Sequence, residues 1–271
     1  MVNQVRFALG ASALSCLLLL GCRKKHVTVA QLEAIPYPSC EGAQDAAAAV
    51  RVLGEGALRP GETSLERMVT ERFRFEARAC LRVMTVRQEW PLNVSDVEVV
   101  YDAAMLPLRA WKRMSLPGAP NAAALVDIRR YELRTPEVGI TRRVGSGPRQ
   151  YERLRGGRPT VVIGPGRGIL TAWIQRANLD VGARTRELAL DMRESVEVIR
   201  PVTLRREPDM FVAALGRVAR VYTVYGRESV YADAQNVVIG DLAGMLPEDR
   251  VHSPRPPAMP SPEPPDPVAT P

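Results

Sequence analysis

The sequence predicts a mainly β (α+β) domain built on an antiparallel sheet, and three observations carry that prediction. Between residues 72 and 83, apolar and charged side chains alternate, which is the period of a half-buried strand with one wet face. Short strand-like runs then recur at close intervals, separated by Gly and Pro turn chemistry such as Pro117-Gly118, Thr135-Pro136 and Gly156-Gly157. Only a few stretches show helical spacing.

In chain order, Ser39 caps a predicted helix whose small apolar positions Ala43, Ala46, Ala47, Val50 and Leu53 share a face, with Gly54 and Gly56 ending it. Thr63-Ser64-Leu65-Glu66 fits a capping box, so a second short helix is expected there, with Leu65, Met68 and Val69 on one side. The run 72–83 is expected to be one long strand. Phe73, Phe75, Ala77, Ala79, Leu81 and Val83 would face the core, and Arg72, Arg74, Glu76, Arg78 and Arg82 the solvent. Further strands are predicted over 97–101, 106–114, 125–134, 138–144, 160–163, 187–193, 196–204, 218–225, 228–232 and 237–242. Leu170, Trp173, Ile174 and Ala177 mark one inserted helix.

The N-terminus bears on compartment. Arg6 precedes an apolar run over 7–20, too short for a spanning helix of about 20 residues, and the run ends in Leu19-Leu20-Gly21-Cys22 before the charged Arg23-Lys24-Lys25. Leu19-Leu20-Gly21-Cys22 resembles the lipobox of bacterial lipoproteins. That resemblance implies a signal peptide over 1–21 and lipidation of Cys22, by a thioether-linked diacylglycerol and an N-acyl chain such as palmitate. It also implies residence at the membrane of the cell envelope. Arg23, where an aspartate would favour the inner membrane, points to the periplasmic face of the outer membrane. Residues 22–38 then read as a lipidated tether and 39–250 as a single mainly β domain. Residues 251–271 form a tail with nine prolines after His252, a composition that cannot build a core.

Four cysteines follow from this layout. Cys16 leaves with the signal and Cys22 is acylated, so Cys40 and Cys80 remain, either as two buried thiols or as a disulfide. An oxidising compartment favours the disulfide, and closing a loop of roughly 40 residues would stabilise the fold by about 4 kcal/mol.

The chemistry is bounded by what the domain contains. The net charge is +7, carried by 34 arginines (37 − 3) against 3 lysines. In an envelope compartment such a surface suits anionic lipid or cell-wall polymers, and nucleic acid is not expected. The only histidines, His26 and His252, lie in the tether and tail, so histidine-based triads and zinc sites are excluded from 39–250. No cofactor or metal is expected. Lys112 reads as an ordinary solvated lysine. Glu132, Glu137, Asp191, Glu194 and Glu197 could serve a carboxylate hydrolase, although nothing in their spacing makes them converge. Gly164-Pro165-Gly166-Arg167-Gly168 follows a strand and precedes a helix, with Glu187 further on, as in a phosphate-cradling loop. Ile169, however, stands where the last fingerprint glycine belongs, so a structural turn is the expected role.

Met84, Trp90, Met105, Trp111, Met114 and Trp173 could line an apolar concavity or simply fill the core. The order of elements also resembles, in layout only, the half-barrel carriers of lipid and lipoprotein transport. That implies a curved half-barrel sheet with one or two N-terminal helices, binding a lipid or a partner protein without catalysis.

Overall fold

Cross-strand hydrogen bonding sorts the strand-like runs into two sheets. The computed structural model describes residues 50–61, 69–117, 125–193 and 196–251, all within one of the chain's two compact units, Pro38–Pro271. The predicted signal peptide, Cys22, the tether, Cys40, most of the first predicted helix, the 63–66 capping box and the Pro-rich tail lie outside the described residues.

The first sheet is an antiparallel meander: β1 (Arg51–Pro60), β2 (Thr70–Arg78), β3 (Leu81–Glu89), β4 (Val94–Tyr101), β5 (Pro107–Ser115), β6 (Leu125–Glu132), β7 (Val138–Val144) and β8 (Gln150–Leu154). The chain then enters the second sheet through β9 (Val161–Ile163), the helix α1 (Leu170–Ala177) and β10 (Arg184–Asp191). It continues through β11 (Val198–Val212), β12 (Arg217–Val224), β13 (Glu228–Ala232) and β14 (Val238–Asp241). Finally β15 (Met245–Pro247) pairs with β1, giving the first sheet nine strands, and a short turn of helix, α2 (Glu248–Val251), follows. The fold is thus mainly β with antiparallel sheets, one of them curled as a half-barrel. Among the described residues the single departure is β9–β10, which pair in parallel because α1 carries the chain back between them.

Two sequence-based expectations are corrected. The run 72–83 is a hairpin, turned at Ala79-Cys80, with Arg78 opposite Leu81. A two-residue turn reverses the parity of the alternation. Phe73 pairs with Val86 and Phe75 with Met84 on the inner face, while Leu81 and Val83 point to the outer face. Val50, Leu53, Gly54 and Gly56, expected at the end of a helix, lie at or within β1. A Cβ at Gly54 would stand 2.7 Å from Val237 and one at Gly56 2.5 Å from Phe73, so these glycines admit close packing inside a strand.

The core forms between the sheets and around α1. Phe73, Phe75, Met84, Val86, Val97 and Val99 from the inner face of the first sheet meet Leu190, Leu204, Tyr222 and Val224 from the second. α1 sits among them with Leu170 to Ile174 buried. Trp173, nearly fully buried, donates its indole Nε1 to Glu187 at 2.7 Å, which is how an aromatic with a polar edge is accommodated inside.

Candidate functional site

The six residues proposed as a ligand lining do not converge. Met84 and Trp173 are in the filled core. Trp90 is exposed at the end of β3, and Met105 packs against the core from the β4–β5 turn. Met114 lies at the inner face of β5 opposite Asp127, and Trp111 stands on the outer face. No apolar chamber opens between the sheets at those six positions.

The glycine loop has a specific structural role. Glu71, at the start of β2, accepts hydrogen bonds from the backbone N–H of Gly168 at 2.6 Å and of Arg167 at 2.9 Å, and from Gln88 Nε2 at 3.2 Å. The amides that would cradle a phosphate are therefore occupied by a carboxylate of the same chain. It also sits just ahead of the N-terminus of α1, where a negative group is favoured. Burial pushes the Glu71 carboxyl above its usual range, and the two amides and Arg167 oppose that shift. The glycines let the loop lie on β2 and β3. A Cβ at Gly166 would be 2.5 Å from Val86, and one at Gly168 would overlap the Phe73 ring. Arg167 turns away and pairs with Asp241 at 2.8 Å.

The other sequence candidates are paired internally. Lys112, expected in solvent, is buried and donates to the Met192 carbonyl at 2.8 Å. Burial, and then the neighbouring Arg129, hold its pKa below the usual lysine value. Arg129 bridges Asp127 (2.7 Å) and Glu197, and Tyr131 also donates to Glu197 at 2.8 Å. Asp191 is held by Arg193 at 3.1 Å and Arg200 at 2.5 Å. Glu132 is exposed and Glu137 half-buried, while Glu194 lies outside the described residues. The acids that are buried are thus neutralised by arginines. Among the described residues no cluster of three or more His, Cys, Asp or Glu could hold a metal ion.

An open recess lies on the outer face of the first sheet. Register places two cross-strand rows there. One runs Ala57, Arg72, Arg87, Asp96, Arg113, and the other Glu55, Arg74, Thr85, Glu98, Trp111. These rows border a groove of about 610 Å³ whose lining also includes Gly56, Phe73, Val86 and Val97 of strands β1 to β4, the last three of which turn their side chains to the core. Small residues in β1 and Thr85 in β3 leave the trough, and long arginines and Trp111 stand around it. Arg113 lies over the Trp111 ring at 5.9 Å and is fixed by Asp96 at 2.7 Å. Arg87 and Arg74 reach Glu89 and Glu76 at 2.8 and 2.5 Å. An aromatic plate and the aliphatic stems of arginines whose guanidinium groups rim the trough can bind a molecule that is partly apolar and partly anionic. Sequence reasoning found Trp111 but not the groove. Its other walls are charged residues of the predicted solvent face, and the row that joins them exists only after the meander is in register.

No family model and no curated protein matches the chain. Two solved structures are similar to it in part. A DUF1089 family protein from Pseudomonas aeruginosa is 15% identical, over 76% of this chain and 96% of that one, with a TM-score of 0.38. A β-barrel-like protein of domain of unknown function DUF1849 from Brucella abortus is 14% identical, over 70% and 83%, also with a TM-score of 0.38.

Proposed function

We propose that this is a lipid-anchored lipoprotein of the bacterial envelope whose folded domain is a non-enzymatic binding module, engaging an amphipathic lipid on the outer groove of its nine-stranded sheet. The observation that carries the reading is the division of the sheet. Its inner face is packed against α1 and the second sheet, while its outer face keeps a groove with Trp111 and four arginines at its edge. The lipobox resemblance at Leu19-Leu20-Gly21-Cys22 supports the anchor and the periplasmic face of the outer membrane. Two or three acyl chains on Cys22 would hold the protein stably.

The Cys40–Cys80 disulfide belongs to the same proposal. Cys80 is engaged rather than free. It lies three residues beyond Ala77, the partner of Arg51 at the start of β1, so the chain enters the sheet beside that turn.

Native mass spectrometry of the protein gently extracted from its own membrane tests the binding. A co-purifying lipid is expected on the wild type and should be lost from the Trp111→Ala, Arg113→Gln variant, whereas equal retention by both would overturn the groove assignment. A stoichiometric protein adduct in place of lipid would overturn the lipid reading in favour of a structural or assembly accessory that makes protein contacts through its sheet edge and Pro-rich tail. Labelling with a palmitate analogue should mark the wild type and not Cys22→Ser. Equal labelling of both would contradict the anchor.

A further inference from the structure

Like charges directly opposite each other across two strands are unfavourable, so their placement needs a reason. In the first sheet Arg72 opposes Arg87, but each has an acid within reach, Glu248 for Arg72 and Glu89 and Asp96 for Arg87. In the second sheet Arg184 of β10 opposes Arg205 of β11, and the compensation is nearly absent. Arg205 has only Glu207 at 3.5 Å, and Arg184 has no acidic partner among the described residues.

This pair borders a cleft of about 400 Å³. It exists because β12 ends at Val224, opposite Leu204, while β11 extends to Val198. Only the Tyr225 N–H reaches on, to the Thr203 carbonyl at 3.0 Å, leaving Pro201 and Val202 without a paired strand on that side. The β12–β13 turn closes one end, with Tyr225 and Gly226 both in the left-handed region (φ 58° and 76°). For Tyr225 that backbone is strained, and the residue lines the cleft while its ring stacks under Arg193 at 4.2 Å. Arg200 completes the lining, and Glu207 is its one acid.

We propose that this cleft binds a phosphate-bearing anion. Arg184 and Arg205 would clasp the phosphate oxygens with their planar forks, and the Thr203 hydroxyl would supply a further donor. The bound anion relieves the repulsion that the empty pair carries. The volume leaves room for substituents on the phosphate, so either a lipid headgroup or a free phosphate ester could be its source. The inference does not rest on the lipid anchor or on the Trp111 groove, which involves the other sheet.

The test uses the intact protein in detergent, titrated by NMR with inorganic phosphate and, separately, with a short-chain water-soluble phosphatidylglycerol, each against chloride at equal ionic strength. At least one phosphate probe should bind where chloride does not. The Arg184→Gln, Arg205→Gln variant should weaken that binding about tenfold or more with an unchanged circular dichroism spectrum. Response to inorganic phosphate identifies a free anion as sufficient, and response to phosphatidylglycerol alone identifies the headgroup. If neither probe binds, if chloride does as well, or if the double variant binds like the wild type, the proposal is overturned. Arg184→Gln alone, at an exposed residue without an acidic partner, gives the same discrimination should the double variant fail to fold.

Discussion

Glu71 shows how a single side chain settles the reading of a motif. The sequence Gly-x-Gly-x-Gly between a strand and a helix is legible as an anion-binding loop, but its amides donate to the carboxyl oxygens of the chain's own Glu71. Nothing local could reveal this, because Glu71 lies almost a hundred residues upstream and meets the loop only when the sheets close. Glu71→Ala should leave two buried amides without an acceptor and cost about 2–3 kcal/mol in denaturant unfolding. Gly168→Ala should cost about 1–3 kcal/mol, because its methyl group has no space against Phe73. The acid response belongs to other carboxylates. Burial alone would raise Glu76, but hydrogen bonds from Arg78 and Arg74 outweigh it and hold the carboxyl below its ordinary 4.5. The unfolded chain therefore binds that proton first. The stability from Glu76 is present above about pH 4.5 and is lost as pH falls through the lower folded value. In urea titrations Glu76→Gln should be less stable than wild type at pH 7, with the difference closing in acid.

At the scale of elements, strand-like periodicity was readable and its punctuation was not. The strands over 138–144 and 228–232, and the helix that runs from Leu170 to Ala177, fall where period and turn chemistry place them. The β2–β3 turn was invisible because Ala79-Cys80 is no turn signature, and Ala79 nevertheless takes a left-handed backbone at φ 52°. β8 was missed because Gln150-Tyr151-Glu152-Arg153-Leu154 is an exposed edge with no apolar face to betray it. β1 looked helical because its glycines, needed beneath Val237 and Phe73, resemble a helix end. The charged inner end of β5 and β6 ties the first sheet to the segment before β11, with Arg129 bridging Asp127 and Glu197. Arg129→Met should strand two buried carboxylates and cost about 3–5 kcal/mol by thermal or denaturant unfolding.

For the whole molecule, the inner face of the first sheet is packed against α1 and the second sheet. Its outer face is buried at Val83 and Val100 but open at the groove beside Trp111. Along a single inner row, Gly56, Phe73, Val86 and Val97 give way to Lys112, Arg129 and Arg142, so even the polar end of that face is internally paired. The sequence-level idea of a ligand held inside a half-barrel was reasonable from Met and Trp content alone. α1 fills that space: it was legible as a helix but not as the plug between the sheets. The most direct test places a photo-crosslinking residue at position 85 in the groove and, separately, at position 92 in the exposed β3–β4 turn, in cells. Irradiation should give a lipid adduct at 85 and none at 92. An adduct of equal yield at both positions, or none at 85, would contradict binding on the outer groove.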